Sequence, residues 1–241
     1  MRSINISLTP ENFSAFSHIK DPIVVVVDIL RATSVISTAF HYGIKEVIPV
    51  KSVEQAKNYL KTNNYIVAAE RNALPLKGFD YGNSPFQYMN KKILNKTLVL
   101  TTTNGTKAIN IASKNQVITA SYINFNSICR YLIQSNKNII ILCSGWKGVF
   151  NLEDSIFAGY LTNKILKNKN YISNCDSVKA SIILYNSSKN NLFEFLSDSA
   201  HRNRLKHLNM EKDTKFCLCP NFKSDIIPFL DNGKLKPLVL E

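Results

Sequence analysis

Polar residues in this 241-residue sequence follow directly on four apolar, strand-like segments. "IVVVV" is followed by Asp28, and "YIVAA" by Glu70. "TLVL" is followed by "TTTNGT" at 101–106, and "NIIIL" by "CSGWKG" at 143–148. The carboxyl ends of parallel strands lie along one edge of a sheet, where ligands bind. The spacing therefore predicts a single crevice at this edge.

The acidic residues at these positions favour a hard divalent cation. Carboxylates occur at Asp28, Glu70, Asp80, Glu153 and Asp154. Mg²⁺ takes one or two carboxylates together with water and substrate phosphate oxygens. The four histidines, His18, His41, His201 and His207, are dispersed along the chain and do not indicate a softer metal.

Groups that bind oxyanions accompany the acids. Arg31 and Arg71 stand close to Asp28 and Glu70 in the sequence, and a guanidinium binds carboxylate, sulfonate or phosphate through two hydrogen bonds. "TTTNGT" opens a predicted helix, whose first N–H groups and positive dipole end attract an anion. Together these groups predict metal-assisted chemistry on a phosphorylated small molecule.

Each of these motifs also has a purely structural explanation. Asp28 could cap the following helix, and "TTTNGT" could be a capped turn. Glu153 and Asp154 could complement the dipole of the helix that they begin. Their coincidence at four strand ends favours the functional interpretation.

Familiar phosphate-handling motifs are missing. The sequence has neither GxxxxGK[ST] nor GxGxxG. Cys143 has no arginine six residues later, as a cysteine phosphatase would need. Leu30 stands where the haloacid-dehalogenase motif requires a second aspartate.

Alternating strand and helix patterns predict an α/β fold with helices on both faces of the sheet, in one domain covering 1–241. Residues 177–208 are predicted to be mostly helical. Three short strands are predicted near the C-terminus, around "KFCLC", "DIIPF" and "KPLVL".

Composition narrows the functional classes. The net charge of +13 is compatible with nucleic-acid binding, but the lysines form no run of five and do not alternate with aromatics. We therefore expect no nucleic-acid partner, and a positive field that attracts a small anion. The longest apolar run, Ile23–Val27, is too short for a membrane span, and no signal peptide is recognisable. Five scattered cysteines without a metal-binding spacing favour reduced thiols and a cytoplasmic protein.

Four motifs in order resemble those of the 2-phosphosulfolactate phosphatase family. They are "VVVVDILRATSVISTAFHYGIKEVIPV", "AAERNALPLKGFDYGNSP", "LTTTNGTKA" and "LCSGWKGVFNLEDSIFAGYL", with weaker similarity in "SAHRNRLKHL" and "DIIPF". The resemblance implies a three-layer α/β/α fold with a mixed, largely parallel sheet. It also implies a cytosolic, Mg²⁺-dependent hydrolase that converts 2-phosphosulfolactate to 3-sulfolactate and phosphate, a step of coenzyme M biosynthesis in methanogens.

The sequence departs from the family pattern around Glu70. The family commonly has glycine before and after its Glu-Arg pair, whereas this chain has Ala69 before it and Asn72–Ala73 after it. The C-terminal third matches poorly, so the resemblance supports the reaction type more strongly than the exact substrate. A phosphatase of the same fold acting on another small anionic phosphomonoester is the first alternative, and a basic nucleic-acid-binding module is a distant second.

Roles follow as hypotheses. Asp28, Glu70, Glu153 and Asp154 are expected to bind Mg²⁺, with Asp28, Arg31, Glu70 and Arg71 as the catalytic set. Arg31 and Arg71 are expected to clamp the carboxylate and the sulfonate of the substrate. The expected substrate-binding residues are Asn83, Ser84, Thr102, Thr103, Asn104, Gly105, Thr106 and Gly145. Water or Asp28 is the attacking group, and the sequence leaves homo-oligomerisation open.

Overall fold

We describe a computed structural model covering residues 1–62 and 64–240. Within these residues, eleven strands form one mixed sheet: β1 Arg2–Ser7, β2 Ile23–Val27, β3 Glu46–Pro49, β4 Tyr65–Arg71, β5 Leu74–Pro75, β6 Thr97–Thr101, β7 Gln116–Ala120, β8 Ile139–Cys143, β9 Tyr171–Ile172, β10 Ile226–Asp231 and β11 Lys234–Val239.

Helices connect most of these strands. In the same described residues they are α1 Ala32–His41, α2 Val53–Lys57, α3 Gly105–Ala112, α4 Phe125–Ser135, α5 Leu152–Ile165, α6 Asp176–Ser188, α7 Leu192–Phe195, α8 Ala200–His207 and α9 Glu211–Leu218. Short 3₁₀ helices occur at Pro10–Phe16, Pro85–Tyr88 and Lys91–Ile93.

The sheet consists of two parallel blocks joined by an antiparallel hairpin. The strand order is β5-β4-β6-β3-β11-β10-β7-β2-β8-β1-β9. β4, β6 and β3 run parallel to one another, as do β7, β2, β8, β1 and β9. The hairpin β10–β11 pairs antiparallel with β7 on one side and β3 on the other. The predicted mixed, largely parallel sheet is confirmed.

Helices cover both faces of the sheet. Apolar residues of both parallel blocks share one core with α1 and α3. The other face of β2, β8 and β1 packs against α4 and α5, while α2 packs on β4 and β6. β2 is buried along its whole length, because helices lie above and below it. These layers confirm the three-layer α/β/α architecture.

One predicted element is wrong. The segment "KFCLC" was predicted as a strand from its alternating pattern, but residues up to Leu218 belong to helix α9. Phe216, Cys217 and Leu218 are all buried. A strand with one buried face would bury alternate residues, whereas here three consecutive residues are buried. An alternating pattern of only five residues is too short to distinguish a strand from a helix. Among the described helices, none is both long and apolar enough to cross a membrane.

Candidate active site

A small cleft lies beyond the carboxyl ends of β2, β4 and β6. Its lining is predominantly polar. The residues that line it are Asp28, Leu30, Arg31, Glu70, Ala73, Asn83, Thr102, Thr103, Asn104, Trp146, His201, Arg204 and Leu205. Four strands separate β6 from β2 in the sheet order, yet α3 contacts β2 and brings the two strand ends to one cleft. Three of the four predicted strand-end clusters supply acids or hydroxyls here, and the fourth supplies Trp146.

Asp28 is the buried acid at the junction of α1 and α3. Its Oδ1 accepts a 3.1 Å hydrogen bond from the N–H of Ala32, so the residue caps α1 as well as facing the cleft. At Gly105 an added Cβ would lie 2.7 Å from Asp28 Oδ2, so only glycine lets α3 approach the carboxylate this closely. Burial raises the pKa of Asp28 to about 6; the Ala32 N–H opposes this rise, and Glu70 and Glu153 add to it.

Glu70 lies at the end of β4 and faces the same cleft. Its Oε1 accepts a hydrogen bond from the N–H of Ala73, and its Oε2 lies 3.4 Å from the N–H of Thr103. The chain turns sharply here, with positive φ at Asn72 (55°) and Ala73 (70°). Glycine would adopt this conformation without strain, which explains the glycine that the family pattern has after its Glu-Arg pair.

The turn 101–106 holds its shape through its own hydroxyls. The N–H of Thr102 donates to Thr106 Oγ1, and the N–H of Thr106 donates to Thr102 Oγ1, each at 3.1 Å. Asn104 accepts from the N–H of Lys147 at 3.1 Å. Thr102, Thr103 and Asn104 line the cleft at the start of α3, where helical N–H groups have no partner within the helix. Thr106 and Gly105 thus support the turn without lining the cleft.

Arg31 and Asn83 also line the cleft, but Arg31 is largely engaged. Its guanidinium forms an ion pair with Asp213 and donates to the Ala73 carbonyl at 2.7 Å. Asn83 Oδ1 is buried and has no hydrogen-bond partner among the described residues. Ser84 does not line the cleft, and its hydroxyl donates to Asp213 at 3.0 Å.

Arg71 lies away from the cleft. Its guanidinium donates to the Glu70 carbonyl at 2.6 Å and to Thr101 Oγ1 at 3.2 Å. Successive residues of a strand point to opposite faces, so Glu70 and Arg71 cannot both face the cleft from β4. The geometry does not support Arg71 as a clamp on the substrate. Asp80 is absent from the cleft lining as well.

Asp154 holds the backbone around the site. Its Oδ1 accepts from the N–H of Ile29 at 2.8 Å, and its Oδ2 accepts from the N–H of Gly145 and from Asn151 Nδ2. Both carboxylate oxygens are therefore occupied, and neither Asp154 nor Gly145 lines the cleft. Burial, followed by the neighbouring Asp28 and Glu153, raises the pKa of Asp154 well above its usual range.

Glu153 is buried behind the cleft. Its Oε1 lies 2.6 Å from Nδ1 of His201, while its Oε2 has no hydrogen-bond partner among the described residues. In the part of the chain that the structure describes, no cluster of three or more His, Cys, Asp or Glu side chains is arranged to hold a metal ion. The four predicted carboxylates thus do not form one ligand set. Asp28 and Glu70, which both face the cleft, still fit the one or two carboxylates that Mg²⁺ takes.

Sequence reasoning missed three residues of the cleft. Trp146, His201 and Arg204 line it, and the last two come from α8, well beyond the last strong motif, which ends at Leu161. Arg204 Nη2 lies 3.0 Å from His201 Nε2, and its guanidinium lies 4.6 Å from the centre of the Trp146 ring. The only sequence signal for this wall was the weak similarity of "SAHRNRLKHL", since dispersed histidines and arginines carry no spacing pattern.

The fold and the cleft define the class: an α/β protein with two carboxylates, two arginines and a helix N-terminus around a small polar cleft. The chain belongs to the 2-phosphosulpholactate phosphatase family, whose model matches residues 7–233. The family resemblance of the sequence motifs is thereby confirmed.

Relatives match along most of their length. A probable 2-phosphosulfolactate phosphatase of Caldanaerobacter subterraneus is 42% identical over 220 residues, covering 89% of this chain and 90% of that protein. Proteins of the same description from Clostridium perfringens and Thermotoga petrophila are 39% and 40% identical, covering 90% and 87% of this chain and 90% and 89% of those proteins.

Proposed function

We propose that this protein is a Mg²⁺-dependent phosphatase that hydrolyses 2-phosphosulfolactate to 3-sulfolactate and inorganic phosphate. One observation carries the proposal: the Asp28 and Glu70 carboxylates face the same small cleft as the turn that begins α3. Two buried acids beside a helix N-terminus suit a cation and a phosphate held together. The identity of the substrate is inferred from the names of the family and of the relatives.

Asp28 and Glu70 are the residues that would hold Mg²⁺, with water and substrate oxygens completing its coordination. When bound, the ion would neutralise the charge of the phosphate and of both acids. Glu153 and Asp154 support the site from behind, which replaces the sequence-based hypothesis that they are ligands.

The remaining residues bind and orient the substrate. The turn at Thr102–Asn104 would receive the phosphate, using the Thr103 hydroxyl and the N–H groups at the start of α3. Asn83 would orient the substrate from the other wall. An in-line water would then attack phosphorus and pass a proton to Asp28. The bond between phosphorus and the C2 oxygen would break, and the C2 oxygen would take up a proton, from Asp28 or from solvent, to become the hydroxyl of the product.

The five cysteines are free, and three of them are buried, which supports the reducing cytoplasm as the place of this reaction. We propose no nucleic-acid role.

A substrate panel tests the proposal. Inorganic phosphate would be measured from 2-phosphosulfolactate, 2-phospholactate and glycerol 2-phosphate, each with Mg²⁺ and with EDTA. We expect 2-phosphosulfolactate to have the highest kcat/KM and EDTA to abolish release. A higher kcat/KM with another phosphomonoester would make that compound the better candidate substrate. Undiminished phosphate release in EDTA would show that the reaction does not need Mg²⁺.

The attacking group is tested separately. Acid quenching during turnover of ³²P-labelled substrate should leave no label on the protein if water attacks directly. Label on Asp28 would instead show that Asp28 is the nucleophile.

A further inference from the structure

The wall of the cleft formed by α8 carries a guanidinium that the proposed chemistry does not use. Arg204 lines the cleft and is half-buried, and its Nε has no hydrogen-bond partner among the described residues. A buried, unsatisfied N–H group is unfavourable unless a ligand meets it. The Nε–H of Arg204 is therefore a hydrogen-bond donor that is available to a ligand.

We propose that Arg204, held by His201 and Trp146, binds the anionic group of the substrate that is not transferred, namely its sulfonate or carboxylate. The inference rests on the proposed function for the identity of the substrate. It makes Arg204 a specificity-determining residue, and it fills the role that sequence reasoning gave to Arg71.

Arg204 suits this role better than the other two arginines near the site. Arg71 does not line the cleft. Arg31 lines it, but an ion pair with Asp213 already neutralises its charge, and the Ala73 carbonyl occupies a second donor. Arg204 forms no ion pair among the described residues. Burial lowers its pKa, and the nearby carboxylates of Glu70 and Glu153 oppose this lowering.

A chain of contacts fixes the guanidinium in place. Glu153 Oε1 lies 2.6 Å from His201 Nδ1, and His201 Nε2 lies 3.0 Å from Arg204 Nη2. Arginine can only donate hydrogen bonds, so His201 Nε2 accepts from Arg204. His201 then carries its proton on Nδ1 and donates a hydrogen bond to Glu153 Oε1. The Glu153 carboxylate thus sets the tautomer of His201, and His201 sets the position of Arg204.

Trp146 supports the guanidinium from another side. Its ring centre lies 4.6 Å from the Arg204 guanidinium carbon, within the range of a cation–π contact. The planar fork held in this way can form two parallel hydrogen bonds to a carboxylate or a sulfonate, whereas an ammonium cannot. The ligand chemistry that fits is a compact oxyanion such as a carboxylate or a sulfonate.

The test compares kcat/KM of Arg204→Gln with wild type on three phosphomonoesters. These are 2-phosphosulfolactate with two further anionic groups, 2-phospholactate with the carboxylate alone, and glycerol 2-phosphate with neither. Charge-assisted hydrogen bonds of this kind predict a loss of about 10- to 100-fold wherever the recognised anion is present. Arg130→Gln is the matched control, because Arg130 is exposed and pairs with Asp225 far along the chain.

The pattern of losses decides the outcome. A loss confined to 2-phosphosulfolactate supports the inference and assigns the sulfonate. A loss shared with 2-phospholactate, but not with glycerol 2-phosphate, supports it and assigns the carboxylate. An equal loss on all three substrates, or no loss on any, overturns it. Arg204→Lys keeps the positive charge and should recover part of the lost kcat/KM. It also provides the comparison with wild type if Arg204→Gln does not fold.

Two further measurements separate this inference from neighbouring explanations. Glu153→Gln should raise KM for the same substrates as Arg204→Gln does, since Glu153 positions Arg204 through His201. Calorimetric titration with 3-sulfolactate reports binding without turnover. If wild type binds 3-sulfolactate through Arg204 but releases no phosphate from any substrate, the proposed function fails while the inference stands.

Discussion

At the scale of single residues, the site places acids where burial opposes their charge. Asp28, Glu70, Glu153 and Asp154 are all buried, and Asp28 and Glu70 share one cleft. Buried like charges are costly without compensation. Asp154 is compensated by three N–H donors, whereas Asp28 has one, so the two aspartates should behave very differently on substitution.

Asp28→Asn should stabilise the metal-free protein at neutral pH. Folding raises the pKa of Asp28 from 3.8 to about 6, so the folded state binds the proton more tightly. The resulting stabilisation is present below pH 4 and is lost as the pH rises through 6. Asparagine has no charge to bury. Urea unfolding in EDTA should show the variant more stable than wild type by about 2–3 kcal/mol at pH 7, with little difference at pH 4.

Excess Mg²⁺ provides the control for this prediction. If the cation binds the folded wild type as proposed, it should shrink or reverse the advantage of the variant. A stability difference that is independent of pH would contradict the assigned cause.

Asp154→Ala should destabilise the protein without a specific effect on cation affinity. The change leaves the N–H groups of Ile29 and Gly145 and the Asn151 amide unpaired inside the protein. Buried unsatisfied donors cost about 1–3 kcal/mol each, and we expect a total loss of roughly 3 kcal/mol or more. Urea unfolding measures the loss. If the folded variant instead bound Mg²⁺ at least tenfold more weakly than wild type, Asp154 would have to be reinstated as a ligand.

At the scale of elements, the site depends on how closely α1 and α3 approach each other. At Gly105 an added Cβ would lie 2.5 Å from Ala32 Cβ and 2.7 Å from Asp28 Oδ2. Alanine is a better helix former than glycine, but it would force the two helices apart here.

Gly105→Ala should therefore lower the free energy of unfolding by about 1–3 kcal/mol and reduce kcat/KM together with it, since overpacking displaces the turn from Asp28. Denaturant unfolding and phosphate-release assays on the same preparation measure both. Ile111→Ala, on the exposed side of α3, is the control and should change stability much less. A Gly105→Ala variant that is more stable and fully active would show that the close approach is unimportant.

Much of the fold and of the cleft could be predicted from the sequence, and the residues that sequence reasoning missed or misplaced have physical explanations. Asp28, Glu70 and 102–104 were found because each ends an apolar strand, and strand ends of a parallel sheet converge. Arg71 was expected beside Glu70 because the two are adjacent in sequence, but side chains alternate along a strand, and Arg71 does not line the cleft. His201 and Arg204 were missed because α8 reaches the cleft by tertiary packing, which leaves no periodic signal.

At the scale of the whole molecule, the cleft draws on residues from Asp28 to Leu205. The site therefore exists only when both parallel blocks and α8 have folded together. The net charge of +13 gives the molecule as a whole a positive field that favours encounter with a multiply charged anion.

Ionic strength tests the role of this charge. Raising NaCl from about 20 to about 300 mM should lower kcat/KM for 2-phosphosulfolactate several-fold while kcat changes little, because screening affects encounter and not the bound complex. Steady-state kinetics at constant Mg²⁺ measure this. Duplex DNA added as a competitor should not inhibit. Tight, steeply salt-dependent DNA binding would revive the nucleic-acid alternative.

The most direct test of the account is the rate of phosphate release from 2-phosphosulfolactate by Asp28→Asn beside wild type, with Mg²⁺ present. We expect wild type to release phosphate and 3-sulfolactate in equal amounts, and the variant to be at least about 100-fold slower, as loss of a central charged group predicts. The variant is expected to be no less stable than wild type in EDTA, so unfolding would not account for the loss. Activity of Asp28→Asn within a few-fold of wild type would contradict the assignment of this cleft as the active site.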